Sequence, residues 1–144
     1  MLTDNKKYVY IGIFFENDAV IEGISSIDRK PLEVSIKNLH VTFAYKPKLV
    51  DESLFGEPVT VLVTGYASDG ANEALKVALV SDNPSVNSYI NDVAVPHITL
   101  SRSSDGHSVN SRYLDFEPVQ LEEGQEIKFT GIFGGFDFDG KVKF

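Results

Sequence analysis

Two short stretches hold the side chains best suited to chemistry. They are His40 and Thr42 in NLHVTFAYK (38–46), and His97 and Thr99 in VPHITLS (95–101). Imidazoles titrate near neutrality, so a pair of them can take a proton from an attacking oxygen and give one to a departing oxygen. Threonine hydroxyls beside them can hold the non-bridging oxygens of a phosphate. The chemistry that fits this set is metal-independent cleavage of a phosphodiester. No H-x-x-x-H spacing and no carboxylates at offsets matching the histidines point to a metal, and no cofactor is expected. One His-x-Thr by itself is ordinarily a polar strand face. Here two of only three histidines carry it, in a chain with six threonines, which favours a functional reading.

Such groups need strands to aim them. In 38–46, Leu39, Val41, Phe43 and Tyr45 alternate with His40, Thr42, Ala44 and Lys46, so the two sets are expected on opposite faces. In the second stretch Ile98 and Leu100 are expected on one face, and His97, Thr99 and Ser101 on the other. Further strands are expected over 7–15, 59–66, 73–80 and 126–133 from their β-branched and aromatic content. SDGAN (68–72) and the Asp-Gly of FDFDGKVKF (136–144) signal hairpins. Two short helices are expected, over 18–27 with Asp18 as N-cap and over 84–92 starting at Pro84 or Ser85. The 144 residues fit a single strand-rich α+β domain spanning 1–144.

LHVTFAY and PHITLSR, 57 residues apart between their histidines, resemble the paired H-x-[ST] motifs of the two-histidine (2H) phosphoesterase superfamily. That superfamily includes LigT-like RNA 2',3'-cyclic phosphodiesterases, 2',5'-oligoadenylate phosphodiesterases, and phage anti-CBASS nucleases that degrade cyclic oligonucleotide immune signals. The resemblance implies two pseudo-symmetric lobes whose antiparallel sheets bring the motif strands to a central cleft. It also implies that His40 and His97 are acid and base, and that Thr42 and Thr99 hold the phosphate. It covers the motif segments specifically and the rest of the chain only in order. The few, short helices are a departure from larger members and leave the subfamily open.

Around that set, Tyr10 and Phe136 are candidates to stack a base, Ser101 shares the expected motif face, and Lys46 offers positive charge for a phosphate although Pro47 follows it. Phe138 is a further stacking candidate, and His107 reads as a surface-loop residue. Neither the SDG turns nor LEEGQE (121–126) has calcium-loop spacing. The expected partner is therefore a small nucleotide or oligonucleotide. A net charge of −8 argues against long duplex nucleic acid. The absence of cysteine rules out disulfides and thiol chemistry, and no run reaches membrane-spanning length. A soluble, cytoplasmic protein is expected, in the host cytoplasm if viral, with oligomeric state left open. The alternative to an enzyme is a module that binds a nucleotide in the same cleft without cleaving it.

Overall fold

The computed structural model describes residues 2–119 and 126–144. All of LEEGQE but Glu126 thus lies outside the described residues. The first half contains β1 (Thr3–Asp4), β2 (Tyr8–Phe14), helix α1 (Asn17–Gly23), β3 (Val34–Ser35), β4 (His40–Tyr45), β5 (Leu49–Val50) and a 3-10 turn (Glu52–Leu54). Next come β6 (Pro58–Ser68), β7 (Asn72–Val80) and helix α2 (Pro84–Asp92). The remainder is β8 (His97–Arg102), a 3-10 segment (Ser108–Tyr113), β9 (Glu117–Pro118), β10 (Lys128–Asp137) and β11 (Val142–Lys143). The domain is strand-rich α+β, as its composition suggests. Among the described residues, no helix is long and apolar enough to cross a membrane.

One nine-stranded sheet carries the fold, in the order β3-β8-β7-β6-β10-β2-β4, with β9 beside β6 and β11 beside β10. Every pairing in it is antiparallel. The two halves expected from the resemblance are therefore parts of one continuous sheet, joined where β6 pairs β10. β3 covers only the end of β8, at Arg102 and Ser101, so most of β8 is an edge, as β4 is at the other end. The sheet rolls until these edges meet. Cα atoms of β4 and β8 come within 8 Å of one another without forming a ladder.

The inward face is apolar, as the alternation requires. Ile11, Ile13, Val41, Val59, Val61, Leu75, Ile98 and Phe133 are all at most 1% exposed. Both hairpins form, and the tip glycines Gly70 and Gly140 have φ of +87° and +79°, values that disfavour other residues. The first helix is shorter than its apolar spacing suggests. It stops at Gly23, and its N-cap is Glu16, not Asp18. In α2 the cap is Asn83, whose side chain accepts from the N–H groups of Ser85 and Val86, with Pro84 in the first turn.

A buried charge fastens the strands near β8. Glu73, fully buried on β7, accepts from Arg29 Nε and Nη2 at 2.8 Å each, and from Tyr66 Oη and Ser101 Oγ at 2.7 Å each. Ser101 Oγ in turn accepts from Leu32 N at 2.9 Å. With its oxygens satisfied, the carboxylate ties the 29–32 loop to β7 and β8.

Candidate active site

The two motif strands share a local irregularity. On β4, Thr42 lies opposite Gly12 and Ala44 opposite Ile11, so Phe43 has no partner. On β8, Thr99 lies opposite Ala74 and Ser101 opposite Glu73, so Leu100 has none. Each bulge falls three residues after the histidine and reverses the alternation beyond it. The expected faces hold for His40, Thr42, His97 and Thr99 and change afterwards. Ser101 turns inward to Glu73, fully buried, and does not join the motif face. Ala44 packs against the core, while Tyr45 and Arg102, each five residues past its histidine, return to the motif face.

The histidines share one type of backbone hydrogen bond. Nδ1 of His40 is 2.8 Å from the Asn38 carbonyl, and Nδ1 of His97 is 2.8 Å from the Val95 carbonyl, in both cases the residue two before. A carbonyl only accepts, so both Nδ1 atoms carry a proton and both Nε2 atoms are left for acid–base work. Burial lowers the pKa of His40, partly offset by the Asn38 bond, and the charge of His97 lowers it further. Burial also lowers that of His97, against the Val95 bond, with the Arg112 charge adding to the fall. The charge of His97 thus reaches His40, in keeping with the approach of β4 to β8.

The threonines differ. Thr42 is half-buried, with no hydrogen-bond partner for its hydroxyl among the described residues. Thr99, 7% exposed, has Ser111 Oγ at 2.8 Å and the Ser108 carbonyl at 3.4 Å. This bond anchors the Ser108–Tyr113 segment on β8.

Tyr10 lies on the motif face of β2, and its ring stacks on His40 at 4.5 Å and on Phe136 at 5.0 Å. These partners come from the strands on either side of β2, so Tyr10 supports the His40 ring and offers no open face to a base. Its hydroxyl is 3.4 Å from His40 Nδ1, and burial pushes its pKa up to about 12. Phe136 completes this aromatic row. Lys46 stands beyond β4 at a φ of +45°, exposed, with its ammonium 5.5 Å from the Tyr45 ring centre. Phe138, 63% exposed, lines a separate cavity with Tyr8 and Phe144.

Ser111, Arg112, Tyr45 and Arg102 escape sequence reasoning. Ser111 and Arg112 lie in a segment without strand or helix periodicity, and Tyr45 and Arg102 fall on the wrong face until the bulges are known. His107, expected as an ordinary loop residue, lines a cavity with Tyr45 and Arg102. Among the described residues, no three His, Asp or Glu side chains gather to hold a metal.

No family model, curated protein or solved structure matches the chain. The resemblance to the 2H phosphoesterases rests on the paired motifs of the sequence.

Proposed function

We propose that this chain is a metal-independent phosphodiesterase of the two-histidine type acting on a small nucleotide. The substrate is a cyclic oligonucleotide, a 2',5'-oligoadenylate or a 2',3'-cyclic phosphate, and the cyclic oligonucleotides include immune signals that a phage nuclease would degrade. One observation carries the reading: both histidines donate Nδ1–H to the carbonyl two residues before, on strands that converge, leaving both Nε2 atoms without a partner among the described residues. A pure binding module gains little from such a matched acid–base pair.

In this mechanism the neutral imidazole removes a proton from a ribose 2'-hydroxyl or a water, and that oxygen bonds to phosphorus. The bond to the leaving oxygen breaks, and the second histidine, as imidazolium, protonates it. Thr42 and Thr99 steady the non-bridging oxygens. Since burial depresses both imidazole pKa values, the acid histidine acquires its proton as the anionic phosphate arrives and favours the charged ring.

The test is product analysis after incubation with adenosine 2',3'-cyclic phosphate, 2',5'-oligoadenylate and cyclic dinucleotides in the presence of a chelator. Cleavage of at least one is expected, with His40→Ala and His97→Ala each lowering the rate about 10²-fold or more. Near-normal turnover by either variant would remove the mechanism.

A further inference from the structure

Tyr45 and Arg102 hold the same station on their strands, five residues past His40 and His97 and just beyond the two bulges. With Ser104, Gly106, His107 and Ser108 they line one cavity of about 630 Å³. That volume suits a nucleotide-sized ligand. At about 3.3 Å per residue, with one residue absorbed by each bulge, the cavity lies roughly 13 Å along the strands from the histidines. A group bound there belongs to the next unit of a substrate whose reacting phosphate sits between the imidazoles.

The lining has the chemistry for that unit. The Tyr45 ring is 66% exposed and available for stacking, with the Lys46 ammonium beside it. Arg102 is oriented from behind: Nη1 donates to the Ser103 carbonyl at 3.0 Å and the Ser104 carbonyl at 3.4 Å, and its other N–H donors have no partner among the described residues. Glu33 accepts from Ser104 N at 2.6 Å and feels the Arg102 charge, but makes no ion pair with it among the described residues. A guanidinium so held, with the His107 ring nearby, is an anion site in a chain of net charge −8.

We propose that this cavity seats the nucleotide on the leaving side of the scissile phosphate, with its base on Tyr45 and its further phosphate on Arg102 and His107. The preferred substrate is then an oligonucleotide of two or more units, linear or cyclic, and not a mononucleotide. This rests on the phosphodiesterase reading for where the reacting phosphate sits.

The test compares wild type, Tyr45→Ala and Arg102→Gln on two ligands. One is adenosine 2',3'-cyclic phosphate. The other is the 3'-phosphorylated dinucleotide ApAp, whose second unit is absent from the mononucleotide and carries the further phosphate on the leaving side of the scissile bond; it is cleavable as the ribose form and used for binding as the 2'-deoxy form, which lacks the attacking hydroxyl. Each variant is expected to lower affinity for the deoxy dinucleotide, and kcat/KM for the ribose form, about tenfold or more. The mononucleotide should change by less than about twofold, and Tyr45→Phe should retain dinucleotide binding. Equal losses on both ligands, or none on the dinucleotide, would overturn the proposal. If the dinucleotide binds with this pattern and nothing is cleaved, the phosphodiesterase reading fails and the binding site stands. If the ribose form is cleaved and the variants bind the dinucleotide as wild type does, the binding site fails and the phosphodiesterase reading stands.

Discussion

Gly12→Ala is a test of positioning that leaves every chemical group in place. Gly12 sits on β2 opposite Thr42, within the motif face, and its φ is not positive, so the glycine is required for close approach and not for backbone conformation. A Cβ added there would stand 3.0 Å from the Val41 carbonyl carbon and 3.1 Å from Thr42 Cα, and closer still to the Val41 oxygen. Carbon atoms pack best at about 3.5–4.0 Å and the Val41 oxygen is closer than either carbon, so β4 must retreat by about 1 Å or more, and backbone offers no rotamer by which to yield. The retreat carries His40 and Thr42 with it. Overpacking of this kind costs about 1–3 kcal/mol of stability, and misplacing a reacting group by about 1 Å costs about 10²-fold in rate. Turnover and thermal unfolding should be measured together, with Gly23→Ala as control. That methyl would meet the Phe129 ring, at 3.1 Å from Cδ1, near the end of α1, so it should lower stability and leave the rate unchanged. A normal rate for Gly12→Ala would refute the positioning argument, and an equal rate loss in Gly23→Ala would assign the effect to general destabilisation.

Three other outcomes follow from the electrostatics. Both imidazole pKa values lie below the ordinary 6.5, so the state with one ring charged and one neutral is most populated in the free protein below that pH; kcat/KM is expected to peak on the acid side of 6.5, and a maximum above about pH 7.5 would contradict this. Arg112→Gln removes a positive charge that opposes protonation of His97, so the limb of the pH–rate profile belonging to His97 should move to higher pH while Arg112→Lys leaves it in place. Glu73→Ala should cost about 3 kcal/mol in denaturant unfolding by stranding a partly buried Arg29 and freeing the 29–32 loop. Burial alone would raise the Glu73 carboxyl, but its bonds from Arg29, Ser101 and Tyr66 outweigh this and hold the pKa below 4.5. Its contribution is therefore present above the unfolded pKa and lost as pH falls through the folded one; the depressed histidines act in the same direction below 6.5, where the unfolded chain binds more protons.

Strand positions and the two hairpins are legible in the sequence because apolar alternation and Asp-Gly turns are local properties, set by neighbours in the chain. So is the pairing of motifs, because His40/Thr42 and His97/Thr99 each lie before a bulge and keep the simple alternation. The bulges are not legible. Phe43 and Leu100 are ordinary core residues, and what makes them irregular is the absence of a partner on β2 or β7, which is a property of the sheet. That is why alternation puts Ser101 on the motif face when it in fact bonds Glu73, and why it hides Tyr45 and Arg102. The same rule misplaces Lys46, since its shared parity with His40 ends at Phe43. The family resemblance puts Tyr10 near the site, but its stacking between His40 and Phe136 depends on strand order, which no single segment encodes.

The bulged strands match, yet their threonines do not, and the difference makes Ser111 a positioning residue. A hydroxyl has one proton, and Thr99 holds a phosphate only if that proton points into the cleft. In the structure Thr99 is the donor of its 2.8 Å bond to Ser111, so binding a phosphate requires both hydroxyls to turn, with Ser111 then donating to Thr99. Ser111→Ala removes that donor and leaves the Ser108 carbonyl, 3.4 Å away, to compete for the Thr99 proton. The rate should fall about tenfold, the scale of one hydrogen bond, while Ser111→Thr, which keeps the hydroxyl, should recover part of it. The decisive measurement is a double-mutant cycle with Thr99→Val. Once Thr99 has no hydroxyl, Ser111 has nothing to orient, so the double variant should be no slower than Thr99→Val alone. The same cycle run with Thr42→Val should be additive, because Thr42 lies on the other strand and shares no hydrogen bond with Ser111. Additive losses in the Thr99 cycle would show that Ser111 acts only by anchoring its segment, and would leave the two threonines equivalent.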